Sequence, residues 1–164
     1  MTPGRWARRR LLRRCRALAG SLDLPVPFDA AELAVRVADR RRRPIELIPT
    51  PWQPGLPCGL LVTADQADYI VYAADTPPLH RQHILAHELA HLLCEHRGRP
   101  STGLLPHLSP QLVGRVLGRT VYSEPQEQEA ELLASLMLHR ALWSRPAPAT
   151  DPFFDPAPRR DGHD

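Results

Sequence analysis

The sequence predicts an α+β fold in which a small, mostly antiparallel three-stranded sheet packs with a helical core. Three short runs of β-forming residues lie between residues 44 and 73, and segments with helical spacing of apolar residues lie on both sides of them. The length of 164 residues is that of one domain with a core of its own.

The N-terminal part predicts two helices. Residues 5–19 carry an incomplete apolar stripe among many arginines. Such a helix either docks its leucines and solvates its charges, which we expect, or binds an acidic partner, DNA or a membrane surface. Asp29 followed by Glu32 is a capping-box-like start for a second helix that continues to about Ala38. Four arginines at 40–43 follow, and we expect them to be solvated at the helix C-terminus.

Three short strands are predicted next in the chain. Residues 44–48 form the first, and a proline-rich connection leads to the other two at residues 59–63 and 68–73. Only four small or polar residues separate the last two strands, and this spacing predicts a β-hairpin.

Three helices are predicted in the C-terminal part. A Thr-Pro-Pro sequence favours a helix start, and this helix covers about residues 78–96. A Ser-Pro pair opens a short helix at 109–118, which ends at a glycine. A Ser-x-x-Gln capping box opens a long helix at about 123–143. Residues 144–164 are rich in Pro, Asp and Arg and predict a disordered tail.

The helix at 78–96 contains an H-E-x-x-H motif, formed by His87, Glu88 and His91. Four-residue spacing sets both imidazoles on one face of the helix, where they can bind a single metal ion. Glu88 projects from a neighbouring position, from which it can accept a proton from water at that metal. The residues that flank the motif are apolar, as expected for a site helix buried in a domain. The motif therefore predicts a zinc site rather than a chance pair of histidines.

A catalytic zinc ion requires a third protein ligand, and the long C-terminal helix contains several glutamates. Glu129 shares the buried stripe of that helix with three leucines that follow it by three, four and seven residues. Glu127 and Glu131 point about 200° away from it. A carboxylate on an apolar stripe needs a cationic partner, which is either a metal ion or a buried arginine. We expect Glu129 to be the third ligand, with Glu127 as the alternative.

Other candidate ligands are less well placed. His83 lies one turn before His87, but three histidines at four-residue spacing do not easily reach one tetrahedral ion, because a helix rises about 6 Å per four residues. Cys94 is expected to pack beside the site as a small hydrophobe. Tyr122 or another histidine could stabilise an oxyanion, and the sequence does not choose between them.

Composition limits the classes of partner. Aromatic residues make up 5% of the chain, which argues against a base-stacking platform for nucleic acid. Three widely spaced cysteines argue against a disulfide framework and favour a reducing compartment. No apolar stretch follows the N-terminal arginines, and prolines interrupt the longest uncharged run. We therefore expect a soluble, cytoplasmic protein that binds neither nucleic acid nor membranes.

The motifs resemble those of the ImmA/IrrE family of bacterial and phage metallopeptidase-like proteins. The resemblance rests on R-Q-H-I-L-A-H-E-L-A-H-L-L and, further on, E-Q-E-A-E-L-L-A-S-L-M-L. It implies a zincin-like metallopeptidase domain at residues 25–143, preceded by the arginine-rich helical segment at 1–24. It also implies that His87, His91 and Glu129 bind zinc and that Glu88 is the general base. Glu131 and Leu133 replace an Asn and a Phe that are common in the family.

The resemblance implies a zinc-dependent endopeptidase-like regulatory protein with a protein or peptide substrate, such as a helix-turn-helix repressor, in a phage, mobile element or stress response. Zn²⁺, one ion per chain, is the expected cofactor. The alternative is a non-proteolytic regulatory or toxin–antitoxin binding module in which zinc is structural. The presence of Glu88 favours the enzyme, because a structural site has no use for a base there.

Overall fold

The computed structural model describes residues 4–52, 54, 57–97, 99–101 and 119–143, without side chains at 99–101 and 119–121. The described elements are α1 (Arg5–Ser21), α2 (Ala30–Arg41), β1 (Ile45–Thr50), β2 (Gly59–Thr63), β3 (Asp68–Ala73), α3 (Pro78–Leu93), β4 (Arg99–Ser101), β5 (Arg119–Val121) and α4 (Glu124–Trp143). The predicted α+β class is confirmed. The helix predicted at 109–118 and the tail at 144–164 lie outside the described residues.

The three-stranded sheet is mixed, with β3 in its centre. β2 and β3 form the predicted hairpin and pair antiparallel, with Leu61 opposite Ile70. β1 lies parallel to the other edge of β3, with Leu47 opposite Ile70. Successive side chains of a strand point to opposite faces of the sheet, so the two faces contribute to two different apolar clusters. Leu61 and Ile70 face the main core with the helices, whereas Val62 and Val71 belong to a smaller cluster.

The start of α2 is capped as expected, since the Asp29 side chain accepts hydrogen bonds from the backbone N–H groups of Ala31 and Glu32. The arginine run after it differs from the expectation of full solvation. Arg41 and Arg43 both form ion pairs with Asp68, which is completely buried at the start of β3. A buried carboxylate requires cationic partners, and the run supplies them.

Helices α1, α3 and α4 share the main core. Cys15, Leu89, Leu133 and Met137 are all fully buried in it. The guanidinium of Arg140, in α4, donates hydrogen bonds to the carbonyl of Ala19, in α1, and to that of Leu22, directly after α1, at 2.8 Å for Leu22. α1 and α4 are thus packed side by side, and the arginine-rich helix belongs to the same core as the motif helix. None of the described helices is long and apolar enough to cross a membrane.

The motif helix α3 ends at Leu93, three residues before the predicted end. The backbone of Glu95 has a φ of 54°, in the left-handed region. The N–H of His96 donates to the carbonyl of His91 at 3.0 Å, and that of Glu95 donates to Leu92 at 3.2 Å. These two bonds form a Schellman motif, which closes the helix and turns the chain back on its last turn. His96 is therefore set beside His91 rather than one turn beyond it.

Candidate metal centre

Two histidines of α3 and one glutamate of α4 form a compact triangle of donor atoms. The Nε2 atoms of His87 and His91 lie 3.2 Å apart. Oε2 of Glu127 is 3.3 Å from Nε2 of His87 and 3.8 Å from that of His91. Ligands on a tetrahedral zinc ion with bonds of 2.0–2.1 Å are separated by about 3.3–3.4 Å. Two of the three separations match this spacing and the third, between His91 and Glu127, is longer at 3.8 Å. The three atoms are close enough together to hold one ion, and two imidazoles with a carboxylate are a donor set that zinc accepts.

The triangle lies in a pocket of about 360 Å³ between β2, α3 and the start of α4. Its walls include Gly59, Leu61, His83 and Glu88. The His91 side chain is 1% exposed, that of His87 21% and that of Glu127 48%. One side of the triangle is thus buried and the other faces open space, which is the arrangement of a site that retains an open coordination position.

Each histidine has a polar neighbour at the nitrogen that points away from the triangle. Nδ1 of His87 lies 3.4 Å from Oε2 of Glu131, and Nδ1 of His91 lies 3.0 Å from Nδ1 of His96. Tyr122 stacks on the His91 ring, with centroids 3.6 Å apart and planes inclined by 13°. Such outer partners fix the orientation and tautomer of metal-binding histidines.

The buried His91 ring is held neutral. Burial lowers its pKa to about 3, and the neighbouring His87 and His96 act in the same direction. A metal ion binds the neutral imidazole, so no proton has to be displaced from His91 at neutral pH.

Glu88 lines the same pocket from a neighbouring position on α3, where its carboxylate lies against β2. Its side chain is buried, and the absence of a side chain at Gly59 makes room for its carboxylate. Burial and, to a smaller extent, the negative charge of Glu127 raise the pKa of Glu88, and a hydrogen bond with the backbone of Leu61 lowers it, with a net pKa of about 8. A divalent cation near the carboxylate would favour its charged form. A perturbed carboxyl group in a pocket with candidate metal ligands is typical of a functional site.

Glu129 is buried on the apolar stripe, as its position in the helix predicts, but it belongs to a second group. Its Oε1 accepts hydrogen bonds from the guanidinium of Arg14, at 2.7 Å from Nε, and its Oε2 lies 3.2 Å from Nε2 of His96. Burial raises the pKa of Glu129, but the bonds from Arg14 and His96 outweigh it and lower the pKa overall. Cys94 completes this group of possible metal-binding side chains.

The structure therefore brings together His87, His91 and Glu88, together with Glu127 rather than Glu129. Sequence reasoning placed no weight on Glu131 or His96. The pair Glu127 and Glu131 has the four-residue spacing of one helix face, which is the signal that could have indicated that both face the histidines.

Comparisons with known proteins do not extend this description. No protein-family model, no curated protein and no solved structure matches the chain.

Proposed function

We propose that this chain is a zinc-dependent endopeptidase in which His87, His91 and Glu127 bind the metal and Glu88 is the general base. The observation that carries the proposal is the triangle of donor atoms, which has the edges of a zinc coordination sphere and shares its pocket with a buried carboxyl group. The resemblance of the two motifs to the ImmA/IrrE family supports the same function.

When bound, zinc supplies a Lewis acid that polarises a carbonyl group and acidifies water. His87, His91 and Glu127 would hold the ion on the floor of the pocket. Glu88 would accept a proton from the attacking water and return it to the leaving amine. Burial raises the pKa of this carboxyl group and a bound cation would lower it again, toward the operating pH at which a group that gains and loses a proton in turn works best.

A protein or peptide is the proposed substrate. β2 is an edge strand of its sheet and contributes Gly59, Leu60 and Leu61 to the pocket wall. An extended peptide could align its backbone with such an edge and present one peptide bond to the pocket. The family resemblance favours a regulatory protein such as a helix-turn-helix repressor as the natural substrate.

Metal analysis tests the ligand set. We expect the purified wild-type chain to hold one zinc ion after reconstitution, and Glu127→Ala to lose it under the same dialysis conditions. Glu124→Gln, on the exposed start of the same helix, should retain the ion. Retention of zinc by Glu127→Ala at wild-type affinity would contradict the assignment of Glu127.

Hydrolysis tests the role of Glu88. The zinc-loaded wild type and Glu88→Gln are incubated with a mixed library of unstructured peptides, and new N-termini are identified by mass spectrometry. We expect cleavage by the wild type alone, while both proteins carry one zinc ion. If the wild type holds zinc and cleaves nothing, the regulatory binding module with a structural zinc becomes the better account.

A further inference from the structure

A chain of hydrogen-bonding groups leads from the candidate metal ligand His91 to the N-terminal helix. Nδ1 of His91 lies 3.0 Å from Nδ1 of His96, and Nε2 of His96 lies 3.2 Å from Oε2 of Glu129. The other oxygen of Glu129 accepts hydrogen bonds from Arg14. The side chains of His96 and Glu129 are only 6% and 8% exposed, so water does not readily replace these contacts.

With both histidines neutral, the two ends of this chain determine the direction of every bond in it. Arg14 can only donate, so Glu129 is an acceptor at its end of the chain. The charged carboxylate accepts from Nε2–H of His96, which leaves Nδ1 of His96 as an acceptor. Nδ1 of His91 must then carry a hydrogen and donate it to His96. Nε2 of His91 then carries a lone pair, and this atom points into the triangle, 3.2 Å from Nε2 of His87.

We propose that Arg14, Glu129 and His96 are positioning residues that hold His91 in the tautomer with hydrogen on Nδ1, ready to bind metal through Nε2. This inference rests on the proposed metal site. It assigns a purpose to the buried Glu129 that is different from direct coordination. It also makes α1, which contributes Arg14, part of the support of the metal centre.

The two groups of possible ligands cannot both bind a metal ion while both histidines are neutral. The reason is that one hydrogen lies between Nδ1 of His91 and Nδ1 of His96, and its position decides which of the two histidines has a lone pair at Nε2. An ion held by Cys94, His96 and Glu129 would need the lone pair of His96 at Nε2. Nδ1 of His96 would then carry the hydrogen and donate it to His91, whose Nε2 would in turn be protonated and unable to bind. Arg14 already neutralises Glu129, which favours the group around His87. We therefore expect one ion per chain.

An isosteric substitution at Glu129 provides a sharp test. In Glu129→Gln the amide oxygen should turn to Arg14, because a guanidinium can only donate, and the amide NH₂ should face His96. The NH₂ group then donates to Nε2 of His96, and the whole chain reverses, so that His91 carries its hydrogen on Nε2. We expect zinc affinity to fall by about 10–100-fold, the effect typical of lost outer partners, although Glu129 does not touch the ion.

The tautomer itself is measured by ¹⁵N NMR of the histidine rings in the full-length, metal-free protein. We expect Nδ1–H for His91 in the wild type and in Glu127→Ala, and Nε2–H in Glu129→Gln. Zinc affinity is measured in parallel by competition with a chelator. Loss of zinc in Glu127→Ala with an unchanged tautomer separates a ligand from a positioning residue.

Substitutions at the other two positions give independent readings. His96→Asn retains an acceptor for His91 and should retain most of the zinc affinity, whereas His96→Leu should lose it by about 10–100-fold. Arg14→Gln should weaken zinc binding more than Arg13→Gln, a change at the next, exposed position of the same helix. This surface pair can be measured even if substitutions at the buried positions prevent folding.

Three results would overturn the inference. The first is Nε2–H at His91 in the metal-free wild type, and the second is a tautomer that does not change in Glu129→Gln. The third is equal zinc affinity in Arg14→Gln and Arg13→Gln. A wild type with the expected tautomer that binds no zinc would instead refute the proposed function, so the two failures are distinguishable.

Discussion

Gly59 is the residue whose substitution most directly tests the packing of the proposed base. A Cβ atom at this position would lie 2.6 Å from Oε1 of Glu88 and 2.7 Å from Cγ2 of Ile84. Both distances fall well short of the 3.4 Å at which ordinary contact begins. Both neighbours are buried on α3, so neither can move without disturbing the interface between this helix and β2.

The expected cost of Gly59→Ala follows from two opposing effects. Overpacking a well-packed interior costs about 1–3 kcal/mol. Replacing a glycine within a strand by alanine stabilises by roughly 0.5–1 kcal/mol through the entropy of the unfolded chain. We therefore expect a net loss of about 1 kcal/mol in the free energy of unfolding, within a range of roughly 0–2.5 kcal/mol. Zinc content should not change, because the clash is with the base and not with a ligand, whereas peptide hydrolysis should fall.

Urea denaturation of the metal-free protein measures the effect on stability. Gly20→Ala is a matched control, because Gly20 lies near the end of α1 with nothing within 4 Å of an added Cβ. The control should be more stable than the wild type by about 0.5–1 kcal/mol, the usual gain in a helix. If Gly59→Ala is stabilised as much as Gly20→Ala, the close approach of β2 to Glu88 is refuted.

Three further predictions concern other features of the fold. The pKa of Glu88 is raised to about 8 in the folded, metal-free chain, so its contribution to stability is lost as pH rises from about 5 to 8. In urea denaturation at several pH values, Glu88→Gln should reduce this loss of stability. An equal dependence of the free energy of unfolding on pH in the wild type and in Glu88→Gln would contradict the prediction. Glu95→Gly should stabilise the protein by about 0.5–1 kcal/mol because the φ of 54° costs a side chain energy, and a loss of stability would argue against the Schellman turn. Asp68→Ala should lower stability by about 1–3 kcal/mol, since two arginines lose their buried partner, whereas the exposed Asp65→Ala should change it little in the same assay.

Features that depend on neighbouring residues could be predicted from the sequence. The cap at Asp29 and the hairpin of β2 and β3 are local, and both are confirmed. The histidine pair of α3 depends only on the period of a helix, and the two Nε2 atoms are indeed adjacent. The parallel pairing of β1 with β3 was not predicted, because it depends on how a long connection returns to the sheet.

The glutamate that lies beside the motif histidines could not be identified from helical phase. The apolar stripe of α4 identifies the side of the helix that faces the core, and Glu129 lies there as expected. A side chain that lines an open pocket lies at the margin of that side, and Glu127 is half exposed. The apolar stripe therefore shows which residues of α4 face the core, but it does not show which of them faces a neighbouring helix. Its identification requires the placement of α3 against α4.

The position of His96 beside His91 could not be predicted from the sequence for a different reason. Its position depends on a left-handed residue at Glu95, where the sequence has none of the glycine that usually indicates such a turn. The helix was therefore expected to continue to His96. The actual turn reverses the chain and places the ring of His96 against that of His91.

The contact between Arg14 and Glu129 joins residues separated by 115 positions in the sequence. During synthesis, Arg14 in α1 can therefore form this contact only after Glu129 in α4 has left the ribosome. The motif histidines are made earlier, but Glu127 and the groups that orient His91 are completed only with α4. The proposed ligand set would therefore be complete only late in synthesis, and a chain without α4 presents the two motif histidines without Glu127.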